Sequence, residues 1–340
     1  MSGEGWLLVF VVVAFLGSLG LTGILTRYSA RLGLLDLPND RKVHSTPTPR
    51  SGGIAFVTAS LLASAGFLWL FSPAQSGSAH SLGWTGLFGL GIAILGVIDD
   101  VRSLSWKLRL SLHFLLVSSA VVLALPSMRG FSPWITHPLI VIWIVGLVNA
   151  MNMLDNMDWL SGGVAWLILG SIVCAGLLLG DPWLSNFFYL LVMAGLLGFL
   201  WHNYPPARIF MGDGGSTFLG FVLGMASARL LLRQTKASPG LAVPILLLAV
   251  PWYDLLTVVW IRYRQGRSPF HADKQHLSHR LTDRGLRSVT AVRVIHLITL
   301  ANASLSLLLY QATTVGSLIV GVSWVGWWMV VTILSWKTTD

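Results

Sequence analysis

The stretch GWLLVFVVVAFLGSLGLTGIL, residues 5–25, contains no charged side chain. An α-helix needs about 20 apolar residues to cross the hydrocarbon core of a bilayer, so this stretch predicts a membrane-spanning helix. The whole chain has the same character, since 54% of its 340 residues are hydrophobic and only 10% are charged. A mean hydropathy of +0.73 excludes an ordinary soluble domain.

Similar apolar stretches recur along the chain and predict an all-α polytopic membrane protein with about eleven spans, ten being the alternative. Backbone groups in lipid must be paired internally, so each span is expected to be a helix. Residues 1–340 are treated as one integral membrane domain. The predicted spans cover residues 5–25, 52–71, 82–98, 108–126, 133–150, 162–180, 184–201, 214–233, 240–261, 291–311 and 315–335.

Lysine and arginine are distributed unevenly among the predicted loops. Alternate loops and the C-terminal segment hold 18 of the 22 basic residues, which by the positive-inside rule makes them cytoplasmic. The N-terminus is then outside and the C-terminus is inside. The net charge of +9 borders the spans and predicts no nucleic-acid partner.

The acidic residues lie on the same side as the basic ones. Eleven of the 13 acids are cytoplasmic and all eleven are aspartates, the exceptions being Glu4 and Asp181. This gathering predicts a cation-binding site on the cytoplasmic face. The loops that would build it cover approximately residues 26–51, 99–107, 149–161, 202–213 and 262–290.

Two of these loops border early spans. Lys42 and Arg50 precede Gly52 and Gly53. Glycines at a helix N-terminus beside cations are typical of a phosphate site, although the positive-inside rule explains the two basic residues equally well.

Adjacent Asp99 and Asp100 end the third span. Their mutual repulsion would be relieved by a divalent cation or a shared proton, unless the helix end is simply open to water.

The segment NAMNMLDNMD, residues 149–158, places four polar residues at intervals of three: Asn149, Asn152, Asp155 and Asp158. If the fifth helix continues through this segment, the four lie on one face. Amides and carboxylates on one face can hold a hydrated Mg²⁺ and accept hydrogen bonds from a base or ribose.

Two later segments complete the set. Asp213 lies among Gly212, Gly214 and Gly215, where it could hold a metal while the glycine backbone approaches an anionic ligand. His276 and His279 are separated by three residues and Arg280 follows, a weak indication of metal or phosphate binding. Together the segments fit Mg²⁺-assisted phosphoryl transfer at one membrane face.

The order of these motifs resembles the polyprenyl-phosphate N-acetylhexosamine-1-phosphate transferase family, of the MraY and WecA type. The motifs of that family appear here in the same order over about residues 30–290, as PTPRSGG, DD, NAMNMLDNMD, NYPPARIFMGDGGS and DKQHLSH. The resemblance implies that N-acetylhexosamine 1-phosphate is transferred from a UDP-sugar to undecaprenyl phosphate, with release of UMP. Mg²⁺ is the implied cofactor, with Mn²⁺ as the alternative. The further expected partners are membrane lipids and, in a homodimer, a second copy of the chain.

The resemblance also implies roles for individual residues. Asp99 is the expected base, with Asp100 beside it, and whether it acts as base or nucleophile stays open. Asp213 is the expected principal metal ligand, together with Asp155. The expected nucleotide- and sugar-binding residues are Asn149, Asn152, Asp158, Trp159 and Asn203, and the expected phosphate-binding residues are Lys42, Arg50, His276, His279 and Arg280.

Three residues depart from the family pattern. Asn156 and Trp159 stand where the family usually has glycine, and Ser278 replaces a histidine of the late loop. That loop is closer to the WecA-like branch, which uses UDP-GlcNAc, than to the MraY branch. The departures keep other donors open, UDP-MurNAc-pentapeptide among them, as well as an inactive relative. A transporter is the alternative from another class, although its polar groups would be expected near the bilayer midplane.

Overall fold

The computed structural model describes residues 3–36, 47–71, 77–126, 132–232, 240–268 and 273–336. Within these ranges the chain is almost entirely helical, and its one ribbon pairs Leu35–Asp36 (β1) antiparallel with Thr48–Pro49 (β2). The helices are α1 (Gly3–Tyr28), α2 (Gly52–Phe71), α3 (Gly77–Arg102), α4 (Trp106–Ala124), α5 (Pro133–Leu154), α6 (Leu160–Leu178), α7 (Phe187–Asn203), α8 (Asp213–Leu232), α9 (Ala242–Leu247), α10 (Ala249–Arg264), α11 (Leu277–Asp283), α12 (Ser288–Leu308) and α13 (Thr314–Ser335).

Ten helices of the described ranges, α1–α8, α12 and α13, are long and apolar enough to cross a membrane. The all-α polytopic fold is therefore confirmed. The remaining predicted span, 240–261, is not one helix, because the chain breaks at Leu248 between α9 and α10. Pro251 explains the break, since it has no N–H to donate to the carbonyl of Leu247 and its ring crowds that carbonyl.

Helix α8 occupies the centre of the bundle. All of its side chains from Gly214 to Ala228 are buried, and its principal neighbours are α3 and α5. A Cβ at Gly220 would lie 2.5 Å from the carbonyl oxygen of Leu147, so only glycine lets α5 pack this closely. By contrast, α13 exposes most of its apolar surface.

Backbone hydrogen bonds join the segment before α2 to the segment before α8. The N–H of Phe210 donates to the carbonyl of Pro49 at 2.7 Å. In return, the N–H of Gly52 donates to the carbonyl of Phe210 at 2.9 Å, and the N–H of Gly53 donates to that of Met211 at 2.8 Å. The first turns of α2 and α8 therefore meet at one end of the bundle. Because the N–H groups of Gly52 and Gly53 are already bonded there, they do not form the phosphate site considered from the sequence.

Candidate active site

Three aspartates meet at the end of the bundle where α3 ends and α8 begins. Nη1 of Arg109, from the first turn of α4, lies 2.5 Å from Oδ2 of Asp99 and 3.5 Å from Oδ2 of Asp213. Asp99 also accepts a 2.7 Å hydrogen bond from the N–H of Leu104, which holds the turn between α3 and α4. One cation is thus shared by two carboxylates from different helices.

The third carboxylate, Asp100, binds the N-terminus of α8. Its Oδ2 accepts hydrogen bonds from the N–H groups of Asp213 and Gly214 at 2.9 and 3.4 Å. Arg50 lies 3.6 Å from the other carboxylate oxygen and also donates to the Asp100 carbonyl. Gly212 has φ 75°, and a Cβ there would lie 2.7 Å from Oδ2 of Asp100. The glycine-flanked N-terminus expected to face a bound anion therefore binds the protein's own Asp100.

Solvent exposure separates the three carboxylates. The side chains of Asp99 and Asp100 are 5% and 6% exposed, whereas that of Asp213 is 32% exposed. Oδ1 of Asp213 accepts a 2.9 Å hydrogen bond from Nδ2 of Asn152, which also contacts Oγ of Ser216 at 3.2 Å. Asp213 is therefore the carboxylate of the three best placed to meet a ligand that enters from solvent.

The four polar residues at intervals of three do not form one helical stripe. Helix α5 ends at Leu154, and Asp155 has a ψ of 56°, outside the helical range. Asn149 and Asn152 lie on the helix, whereas Asp155 and Asp158 lie in the turn that leads to α6. The single stripe considered from the sequence is wrong, because the chain must leave α5 here to begin the next span.

These side chains make separate contacts. Nδ2 of Asn149 donates to the carbonyl one turn earlier in α5 at 2.8 Å. Oδ1 of Asp155 accepts a 2.5 Å hydrogen bond from Oγ of Ser161, and Oδ2 of Asp158 accepts one of 2.9 Å from the N–H of Ala207. The turn after α5 is thus tied both to α6 and to the segment before α8.

The carboxyl of Asp155 has an altered acidity. Its pKa is raised to about 7, mainly by burial; the charges of Asp213 and Asp158 contribute to the increase, and the hydrogen bond from Ser161 opposes it. Asp155 therefore exchanges its proton near neutral pH.

Trp159 adopts a conformation that is unusual for a tryptophan. Its φ of 67° is left-handed, which costs a non-glycine residue about 1–2 kcal/mol. The backbone N–H of Trp159 donates to Oδ1 of Asn203 at 2.8 Å, and Nδ2 of Asn203 donates to the carbonyl of Ile209 at 2.9 Å. The indole meets the rings of Tyr204 and His296 edge-on, at centroid distances of 5.2 and 5.4 Å. The glycine-like turn is thus preserved with a large aromatic side chain upon it.

Helix α11 is anchored to α10 by buried polar contacts. Asp254, which is 0% exposed, contacts Nδ1 of His276 at 2.7 Å and accepts a 2.6 Å hydrogen bond from the N–H of Leu277. Nη2 of Arg280 donates to Oγ1 of Thr257 at 3.0 Å. These contacts set the position of the late histidine-containing segment.

Arg280 is buried beside this anchor, and His279 is half-buried. Within the described ranges, Nε and Nη1 of Arg280 are buried without a hydrogen-bond partner, and the guanidinium lies over the rings of Tyr253 and Trp336 at 5.6 and 5.4 Å. Burial lowers the pKa of His279, and His276 and Lys274 lower it further. The lowered pKa favours the uncharged imidazole of His279.

Comparison with known proteins identifies this arrangement. The model of the glycosyl transferase family 4 matches residues 83–231, which include Asp99, Asp155 and Asp213. The chain is 34% identical over 323 residues to a Bacillus subtilis (strain 168) protein named probable undecaprenyl-phosphate N-acetylglucosaminyl 1-phosphate transferase, and the match covers 90% of this chain and 87% of that protein. The chain belongs to the polyprenyl-phosphate N-acetylhexosamine-1-phosphate transferase family.

Two further relatives agree with this family. A Mycobacterium tuberculosis (strain ATCC 25618 / H37Rv) protein named decaprenyl-phosphate N-acetylglucosaminephosphotransferase is 34% identical over 316 residues, covering 81% of this chain and 76% of its own. A Yersinia pestis protein named undecaprenyl-phosphate alpha-N-acetylglucosaminyl 1-phosphate transferase is 29% identical over 325 residues, covering 88% and 82%. The chain is thus an enzyme of the phosphotransferase type, and nothing supports the transporter alternative.

In this transferase the predicted site residues fall into three contacting groups, and Lys42 lies outside the described residues. One group surrounds the start of α8, one surrounds the turn after α5, and one surrounds α11. The group at the start of α8 contains Arg50, Asp99, Asp100, Asn152 and Asp213. The group at the turn after α5 contains Asp155, Asp158, Trp159 and Asn203. The group at α11 contains His276, His279 and Arg280. Asn149 lies one turn before Asn152 on α5.

Several contacts of the transferase site were not assigned from the sequence. Arg109 was only one of several basic residues flanking a span, and nothing in its spacing showed that it would reach two carboxylates. His296 lies far along the chain from Trp159. Asp254 did carry a signal, because an acid within an apolar stretch is costly unless it is paired.

Proposed function

We propose that this transferase moves GlcNAc 1-phosphate from UDP-GlcNAc to a polyprenyl phosphate at the cytoplasmic face of the inner membrane and releases UMP. The printed names of the relatives support the acceptor class and the transferred sugar. The observation that carries the proposal is the shared position of Arg109 between Asp99 and Asp213. A site for two phosphorylated substrates needs cations and carboxylates at one place, and this contact supplies both.

The donor set of this site fits a divalent cation. Within the described ranges, no three acidic, histidine or cysteine side chains lie close enough to hold an ion by themselves. Mg²⁺ does not require such a cage, because proteins usually bind it through one or two carboxylates while water and substrate phosphates complete the shell. The two carboxylates that share the Arg109 guanidinium supply the negative charge that a divalent cation would need there.

We assign the metal to Asp213, with Asp155 as the second carboxylate. Asp213 is the exposed member of its group, and the pKa of Asp155 responds to its charge. When bound, Mg²⁺ would neutralise the phosphate charge of the donor and activate its pyrophosphate for substitution. Asn152 keeps Oδ1 of Asp213 in a fixed orientation through its 2.9 Å hydrogen bond.

The proposed reaction is a substitution at the β-phosphorus of the donor. An oxygen of the lipid phosphate forms the new P–O bond, and the bond from the β-phosphorus to the bridging oxygen breaks, so that UMP leaves with that oxygen. Asp99 is the proposed acceptor of a lipid-phosphate proton. Arg109, which now contacts Asp99, is positioned to exchange that carboxylate for a phosphate oxygen as the substrate enters.

The remaining groups are proposed to bind the two ends of the donor. The buried, unpaired Nε and Nη1 of Arg280 have the hydrogen-bonding capacity that a phosphate would fill. His276, His279 and Arg50 are proposed to assist at the phosphates. Asn149, Asp158, Asn203 and Trp159 are proposed to contact the nucleotide or sugar, and the WecA-like histidine segment favours GlcNAc over MurNAc-pentapeptide.

The test is UMP release by the detergent-solubilised protein with undecaprenyl phosphate, Mg²⁺ and each of several UDP-N-acetylhexosamines. Release is expected with UDP-GlcNAc, lost with EDTA and restored by Mg²⁺. Asp99→Asn and Asp213→Asn should each lower kcat by about 100-fold or more, since each removes a charge aimed at the reacting groups. Glu4→Gln, an exposed charge at the start of α1, is the matched control and should keep wild-type activity.

Silence with every donor would contradict the proposed function. Release that persists in both aspartate variants would leave the reaction in place and refute the assigned site.

A further inference from the structure

Two of the three departures from the family pattern contact each other. Oγ of Ser278 donates a 2.6 Å hydrogen bond to Oδ1 of Asn156, although the two residues lie on different segments of the chain. Ser278 is 0% exposed, so its hydroxyl would lose its partner without gaining water if the bond were removed. The usual glycine at 156 has no side chain to accept this bond.

The amide of Asn156 is held in the orientation that this bond requires. Its Nδ2 donates to the carbonyl of Met153 at 2.9 Å, so Oδ1 is the atom that faces Ser278. The backbone N–H of Asn156 donates to the carbonyl of Leu154 at 2.9 Å and fixes the turn after α5. The acceptor is therefore in place before any ligand binds.

The bond crosses between two of the three groups in the site. The other polar contacts described above for α11 connect it to α10, through Asp254 and Thr257. Ser278 instead reaches the turn that carries Asp155 and Asp158. It thereby connects that turn to the segment that carries His276, His279 and Arg280.

We propose that Asn156 and Ser278 are a coupled pair of positioning residues, which hold the turn after α5 and helix α11 at one fixed separation. The inference rests on the proposed function in one respect: these two segments are the ones assigned to the donor sugar-nucleotide and its phosphates. Because the pair acts through one bond, neither residue can be exchanged for the family residue without the other.

The test is a double-mutant cycle with Asn156→Gly, Ser278→His and the double variant, followed by UMP release. Each single change should lower kcat for UDP-GlcNAc by about tenfold, whereas the double variant should recover to within about threefold of wild type. The KM for undecaprenyl phosphate should stay unchanged in all of them, which a general loss of structure would not produce. Losses that simply multiply in the double variant would overturn the proposal.

A second measurement does not depend on activity or on a histidine fitting at 278. In hydrogen exchange, Ser278→Ala should accelerate the amides of both 155–159 and α11. Thr282→Ala, which removes a 2.7 Å bond to the carbonyl of His279 within α11, should affect α11 alone. Exchange confined to α11 in both variants would overturn the pairing, whereas coupled exchange in a protein that releases no UMP would support it and count only against the proposed reaction.

Discussion

The carboxylate of Asp254 lies 2.7 Å from Nδ1 of His276 and is fully buried. A carboxylate at this nitrogen favours a proton on Nδ1 and fixes the orientation of the ring. The same carboxylate accepts the N–H of Leu277, so it positions both the imidazole and the first turn of α11.

Asp254→Asn should therefore lower kcat by about 10- to 100-fold, the usual effect of losing a group that orients a ligand-binding imidazole. The asparagine oxygen can still accept from Leu277, but its NH₂ would meet His276 and favour the opposite tautomer. Histidine tautomers read by NMR and the kcat and KM for UDP-GlcNAc would check this. Unchanged kcat with a reversed tautomer would show that Asp254 only stabilises the fold.

The shared contacts of Arg109 predict a large loss in Arg109→Ala. Asp99 and Asp213 would lose their common cation, and kcat should fall by about 100-fold or more. Arg102→Ala removes an exposed positive charge from the end of α3 and should stay within about twofold of wild type. Equal losses in the two variants would mean that net charge matters and the specific contact does not.

The raised pKa of Asp155 predicts a pH-dependent stability. The folded protein keeps this proton up to about pH 7, whereas an unfolded aspartate releases it near pH 4, so the stabilisation present below about pH 4 is lost as pH rises through about 7. Without divalent cations, the thermal unfolding midpoint in detergent should fall between about pH 4 and pH 7 and level off above that. Mg²⁺ should raise the midpoint more at about pH 8, where Asp155 is ionised.

Asp155→Asn is the control for that measurement, because the amide keeps the shape and cannot ionise. The variant should show a flatter pH dependence and a smaller effect of Mg²⁺ at high pH. The same slope in variant and wild type would assign the titration to another group.

The left-handed Trp159 predicts a change in donor preference on substitution. Trp159→Gly relieves the backbone, since glycine adopts this φ freely, but it removes the indole that contacts Tyr204 and His296. The ratio of kcat/KM between UDP-N-acetylhexosamines should change by about tenfold or more. Tyr204→Phe keeps the ring contact and should leave the ratio within about twofold. An unaltered ratio in Trp159→Gly would remove this residue from donor selection.

The sequence by itself determined the class of fold, ten of the spans and the family. Apolar runs of bilayer length allow only helices, and the motifs keep their order along the chain whatever the packing. The gathering of aspartates at the ends of several predicted spans also followed from the positions of those spans. The break at Leu248 could have been read from Pro251, which removes one hydrogen bond of an otherwise continuous helix.

Only the tertiary structure decided which of these polar groups touch. Spacing along α5 predicted a stripe through Asp158, but the helix ends at Leu154 because the chain must enter α6. Asp100 binds the first N–H groups of α8, and Ser278 bonds to Asn156, which lies far from it along the chain. Local periodicity carries no information on such partners. Each contact depends on how closely two helices that are distant in the sequence pack against each other, and on which of their polar side chains are then buried away from water.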